Sequence, residues 1–161
     1  MSIRIIRTGR DPVLKQKAKP VEKINRAVEK LLDDMTQTMY DAEGIGLAAN
    51  QIGILKRLVV CDVGNGLLQM INPEIVWASE EKDTTYEACL SLPGLRGMVP
   101  RHSNIRFRYI NRDGEEHTVE ADQLFARCIQ HEIDHLDGIL FTDYLQPDEV
   151  ERIVAKESSS Q

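Results

Sequence analysis

His131, Glu132 and His135 are the residues in this chain whose types and spacing most directly imply chemistry. They lie in Gln130-His131-Glu132-Ile133-Asp134-His135, within a stretch that reads as helix from about 122 to 137. Residues four apart lie on one helical face, one turn apart, so His131 and His135 can aim two imidazoles at one metal ion. Glu132 sits about 100° round the helix, beside the first ligand and able to reach water at that ion. This is the H-E-x-x-H pattern of two nitrogen ligands and a general base. Leu124 and Cys128 extend the same face toward the N-terminus. An apolar stripe that ends in two histidines points them inward, where imidazoles need partners.

A catalytic metal site usually takes three protein ligands and a water. The longer pattern H-E-x-x-H-x-x-G-x-x-H fits through Gly138, but its last position is Phe141. Glu149 and Glu151 could offer a carboxylate, but from an acidic tail expected to be exposed. Cys128 faces the right way yet is seven residues from His135, about 10 Å along the axis, too far to share one ion. His102 and His117 read more simply as loop and strand histidines. Cys89 is the better choice, in a turn-flanked segment with Glu87, Leu90 and Ser91; spacing alone does not decide between it and Cys61.

The elements that must position these groups fit within 161 residues, enough for one domain with its own core. The chain is 42% hydrophobic and 29% charged, ordinary for a soluble globular protein. No apolar run approaches the ~20 residues of a membrane span, and Met1 to Arg7 lacks a signal-peptide core; a cytoplasmic protein is expected. Three scattered cysteines argue against a disulfide framework. A net charge of −6 disfavours general binding to nucleic acid, DNA included. Residues 1–30 nevertheless carry nine Lys/Arg against three Asp/Glu, a balance of +6 that leaves −12 for the remainder. That basic region is read as solvated surface.

Residues 1–20 read as irregular, broken by Pro12 and Pro20. Ile24, Val28, Leu31, Leu32, Met35 and Met39 then recur at helical spacing, giving an amphipathic helix over 24–41. Gly44-Ile45-Gly46-Leu47-Ala48-Ala49 is not a dinucleotide fingerprint, because helix precedes it and an extended segment follows. Its small residues suit close approach by another backbone, such as a peptide. A hairpin is expected from strands 58–63 and 67–71 about Gly64-Asn65-Gly66, then strands at 75–77, 105–109 and 117–121. Asp122 is the expected N-cap of the metal helix. Residues 139–141 read as extended, 147–156 as a short helix begun by Pro147, and 157–161 as disordered. The class is α+β: antiparallel sheets packed around a central C-terminal metal-binding helix, with an N-terminal amphipathic helix, in a single domain over 1–161.

Three stretches together resemble the motifs of one family. Gly44-x-Gly46-x-Ala48-Ala49-x-Gln51, Glu87-x-Cys89-Leu90-Ser91 and Gln130-His131-Glu132-x-Asp134-His135-Leu136 are similar, in order and spacing, to those of the peptide deformylases. The likeness spans essentially the whole chain, including Val99-Pro100-Arg101. Ala88 departs from it, standing where the family usually has Gly; an extended backbone is expected there, since a positive φ would strain Ala.

The resemblance implies that Cys89, His131 and His135 bind the metal, with water as fourth ligand. The ion would be Fe2+, with Zn2+, Ni2+ or Co2+ able to substitute. Glu132 would be the base, with Gln51 and the Leu90 N–H as oxyanion donors. Gly44, Ile45 and Gly46 would bind the peptide as an added strand. Ile45, Leu124 and Cys128 would line a methionine pocket, Arg96 would reach further along the peptide, and Glu87 would pair with Arg101. The implied reaction removes the N-formyl group from formyl-methionyl nascent peptides and releases formate. A monomer with transient ribosome contact is expected, the contact through a surface other than the acidic tail. The rival readings are a metalloprotease with a different third ligand and a metal that merely fixes the fold.

Overall fold

The structure, a computed structural model, describes residues 2–153. Helix α1 spans Arg26–Asp41 and starts at Asn25, whose side chain accepts the Val28 N–H, satisfying one of the free donors of the first turn. Its apolar stripe, Val28, Leu31, Leu32, Met35 and Met39, is buried. Each such side chain contributes roughly 1.5–3 kcal/mol through burial.

Strands β1 (Gly46–Ala48), β2 (Leu58–Cys61), β3 (Leu68–Ala78), β6 (Asn104–Ile110) and β7 (Glu116–Asp122) form one antiparallel sheet in the order β1-β2-β3-β6-β7. Strands β4 (Lys82–Cys89), β5 (Leu92–His102) and β8 (Glu151–Arg152) form a second. Helix α2, Gln123–Leu136, follows β7 directly. The alternation of β2 shows how the layers stack. Leu58 and Val60 join the stripe of α1 on one face, while Val59 and Cys61 join Ala126, Cys128, Ile129 and Ile133 of α2 on the other. Because both faces are covered, all four residues of β2 are buried, as a doubly packed strand requires. The second sheet contributes Leu92 and Val99 to a separate cluster with Leu14, Leu140 and Phe141. Arg127 of α2 reaches across to the Val99 carbonyl at 2.7 Å, so α2 lies between the two sheets.

The α+β class with antiparallel sheets and a C-terminal helix agrees with the sequence-based expectation, and several local expectations are corrected. The separate strands at 67–71 and 75–77 are one strand, β3, whose register shifts where Asn72 takes φ +53°. Strands β4 and β5 were not anticipated. Asp122 stands at the N-cap of α2 but its side chain makes no capping bond, and Gln123 has φ +52°. Extended backbone at 139–141 ends early, since Phe141 opens a 3-10 turn to Tyr144. The expected last helix is instead a 3-10 turn at Pro147–Glu149 followed by β8; the two residues of β8 pair with Leu95 and Arg96. The expectation of disorder at 157–161 lies outside the described residues.

Candidate active site

The tight turn Leu90-Ser91 between β4 and β5 pairs Cys89 with Leu92 and presents the thiol to α2. Cys89, His131 and His135 each offer one ligand atom, and these atoms lie within 4.8 Å of one another. The Cys89 Sγ is 3.3 Å from His135 Nε2. His131 Nδ1 lies 2.8 Å from Glu87 Oε1. Glu87 is an acceptor only, its carboxyl held at about 2: burial would raise it, but bonds from Arg101 and His131 outweigh that. An Nδ1–H that donates to Glu87 leaves Nε2 as the atom that could hold a metal. His102 and His117 are elsewhere, the first bonded to the Ser79 carbonyl and the second stacked on Tyr109.

The protonation of this cluster tests whether a cation fits. Burial disfavours a charged His131, yet Cys89, Glu87 and the charge of Glu132 push its pKa well above the usual value. His135, through burial and repulsion by His131, is pushed well below, and its Nδ1 is buried without a hydrogen-bond partner. A thiolate and two imidazoles suit a divalent transition metal, which satisfies all three donors at once.

Glu132 is buried beside the cluster, and no hydrogen bond reaches its Oε1. Burial, first, lifts its carboxyl to about 7; Glu87 adds to the shift, while His131 and Arg101 oppose it. That places a proton acceptor near neutrality next to the donor triad. A side chain at Gly46 would put Cβ 2.6 Å from Glu132 Oε2 and 2.8 Å from Cys128 Sγ. At Gly44 it would meet Leu90 at 2.8 Å. These two glycines let the β1 segment close on α2 and on the β4–β5 turn.

The groups open onto a cavity of about 330 Å³. Gly44, Ile45, Gly46, Gln51, Leu90, Leu124, Cys128 and Glu132 all line it, as do Cys89 and His131. Ala88 lines it too, from within β4 and without a positive φ, as the extended-backbone expectation requires. Arg96 does not. Its guanidinium lies over the Tyr86 ring at 4.1 Å and bonds Glu151, so only Tyr86 of that pair reaches the lining. Cys61 stays in the core, its Sγ 3.4 Å from that of Cys128.

Sequence reasoning missed Arg127, which is buried and bonds Glu87 at 2.8 Å, the Val99 carbonyl and Asp83. Its position one turn before His131 was the available signal: a guanidinium turned inward beside the two histidines must be paired. Arg101 also grips Glu87, at 2.7 and 2.9 Å, and reaches Asp134, which accepts from Tyr144.

A sequence model of the family described as Polypeptide deformylase matches residues 3–151. The chain belongs to the peptide deformylase family. It is 50% identical over 157 residues to a peptide deformylase of Thermoanaerobacter pseudethanolicus, covering 95% of this chain and 98% of that one. Among solved structures, peptide deformylase from Thermotoga maritima superposes with a TM-score of 0.88 at 41% identity, covering 91% of this chain and all of that one. The Ehrlichia chaffeensis deformylase, solved in complex with actinonin, gives 0.90 at 39%, covering 92% and 91%. Deformylases are metal-dependent hydrolases, and the Cys89, His131 and His135 cluster is this chain's candidate metal site.

Proposed function

We propose that this chain performs the reaction of its family, hydrolysing the N-formyl group of formyl-methionyl nascent peptides to formate and a free N-terminus, with Cys89, His131 and His135 as metal ligands. One observation carries the assignment of roles. A thiol and two imidazoles converge beside a buried carboxylate, Glu132, that is not among the converging groups and has an oxygen to spare.

A divalent ion held there supplies Lewis acidity, lowering the pKa of an attacking water and polarising the formyl group. Glu132 accepts the proton from that water and passes it to the leaving amine. Glu87 holds His131 in the tautomer that frees Nε2. The Gln51 amide and the Leu90 N–H face the developing oxyanion, a placement supported by both residues lining the cavity. Ile45, Leu124 and Cys128 offer the methionine side chain an apolar wall, and the free edge of β1 at Gly46 offers the peptide backbone a strand to pair with. Arg96 would meet the peptide only beyond Tyr86.

We take Fe2+ as the working ion, with Zn2+, Ni2+ or Co2+ as replacements, because a mixed thiolate and imidazole set suits all four. The reading further places a single-domain monomer in the cytoplasm, touching the ribosome transiently. Among the described residues no helix is long and apolar enough to cross a membrane.

The metalloprotease alternative is not favoured. Glu149 caps its own 3-10 turn through the Gln146 N–H, and Glu151 is bonded to Arg96 and Tyr86, so neither acidic residue of the tail approaches the histidines. The deciding experiment is formate release from a formyl-Met dipeptide by the Fe2+-loaded protein, kept reduced, alongside unformylated casein. Formate without casein cleavage is expected; cleaved casein would reinstate the protease.

A further inference from the structure

Gln51 and Ser91 come from different parts of the chain and meet beside Cys89. Both are buried, at 1% and 0% exposure. The Ala48 N–H donates to Gln51 Oε1 at 3.0 Å, which identifies the oxygen end of the amide. Its Nε2 is 3.1 Å from Ser91 Oγ and 3.7 Å from Cys89 Sγ. A primary amide has two N–H donors and one oxygen. The Ser91 hydroxyl engages one hydrogen, the Ala48 contact engages the oxygen, and the remaining hydrogen is left toward the cysteine's corner.

The main chain holds the pair as firmly. The Arg7 N–H donates to the Gln51 carbonyl at 2.7 Å, and the Gly9 N–H donates to the Ser91 carbonyl at 2.9 Å. One short N-terminal segment thus ties down both. The Ser91 N–H itself donates to Cys89 Sγ at 3.4 Å.

We propose that Ser91 is the positioning residue for Gln51: its hydroxyl takes up one amide hydrogen so that the other is presented to the formyl oxygen in the transition state. This rests on the reading of Gln51 as an oxyanion donor. A free glutamine side chain would turn among several rotamers and offer its donor only part of the time. Ser91 removes that freedom without touching substrate.

The test is a double-mutant cycle in the full-length, metal-loaded protein. Ser91→Ala deletes the hydroxyl and keeps the backbone N–H bond to Cys89, so metal content is expected to stay at the wild-type level. The kcat for formate release from a formyl-Met dipeptide is expected to fall roughly 10-fold with KM little changed. Gln51→Ala alone should cost on the order of 10²–10³, and adding Ser91→Ala to it should cost nothing more. If the two losses multiply, or if Ser91→Ala is fully active, the proposal falls while Gln51 keeps its role. If Gln51→Ala is fully active, the role of Gln51 itself fails, and the proposal with it. A spectroscopic arm needs no turnover. In zinc-loaded protein with labelled glutamine, the side-chain amide resonances of Gln51 should shift in Ser91→Ala more than those of Gln130. In the wild type, one of the two Gln51 amide hydrogens should be protected from solvent. Unmoved resonances, or two unprotected hydrogens, would overturn the positioning role.

Discussion

His131 Nδ1 lies 2.8 Å from a Glu87 oxygen that is itself gripped by Arg101, with Arg127 on the carboxylate's other oxygen. The imidazole is therefore anchored through a carboxylate to two guanidiniums, on β5 and on α2. Partners of this kind fix the ring's orientation and raise its basicity as a ligand. Glu87→Gln should weaken metal affinity by about 10–100-fold, measured by competition with a chelator. Unchanged affinity would mean that the anchor is idle.

Glu132→Gln should abolish turnover and leave metal content intact, since Glu132 is not among the converging donors. It should also change the metal-free protein. The folded carboxyl is raised to about 7 from 4.5, mainly by burial, so between those values the native state binds more protons than the unfolded one. Stability of the metal-free wild type should fall as pH rises through that window. Metal-free Glu132→Gln should then resist urea better than metal-free wild type at pH 8, and the two should converge near pH 4. A variant that is weaker at pH 8 would contradict this sign.

Cys89→Ser should lose far more metal than Cys61→Ser or Cys128→Ser, because only the Cys89 Sγ approaches His135. Metal analysis after gel filtration reads this directly. Equal retention by all three variants would remove Cys89 from the ligand set.

Gly46→Ala should fold, since β1 is a short edge strand, but slow formate release by at least roughly 10-fold. The added methyl would stand 2.6 Å from Glu132 Oε2 and 2.8 Å from Cys128 Sγ, and one of them must move. Full activity would show that the carboxylate has room to spare.

Asp34, buried on α1 and outside the cavity lining, predicts an acid limit on stability. Burial would raise its carboxyl, but the Ser2 N–H, Arg4 and Lys30 outweigh it, so the folded pKa is below 3.8. Its contribution is fully present above that value and is lost as pH falls through the folded pKa. Asp34→Asn should lower the urea midpoint at pH 7 and flatten its decline below pH 4. An unchanged acid limb would show that other carboxylates set it.

The helix carrying His131 and His135 was legible because a 3.6-residue stripe and a ligand pattern coincide, and α1 was legible to within two residues at its start. The second sheet was not. Residues Lys82 to Tyr86 of β4 are all exposed, so no alternation marks them, and β5 is crossed by Pro93, Gly94 and Gly97. Pro147 read as a helix start, whereas β8 owes its existence to two pairings with β5 that leave no local trace. The third ligand had the same difficulty: residues alone left Cys89 and Cys61 open, because spacing within a helix is blind to what another element brings. Family likeness pointed to Cys89, and the turn between β4 and β5 brings its thiol to the histidines.

Cys89 and His135 are 46 positions apart in the chain, on a strand of one sheet and on the helix between the sheets. An ion joining them would act as a removable crosslink, shrinking the entropy of the unfolded chain as any long loop closure does. Losing the ion through oxidation would then do more than halt catalysis. It would leave the small sheet held to the helix by the Arg127, Arg101 and Glu87 contacts alone, making spent molecules easier prey for proteases than loaded ones.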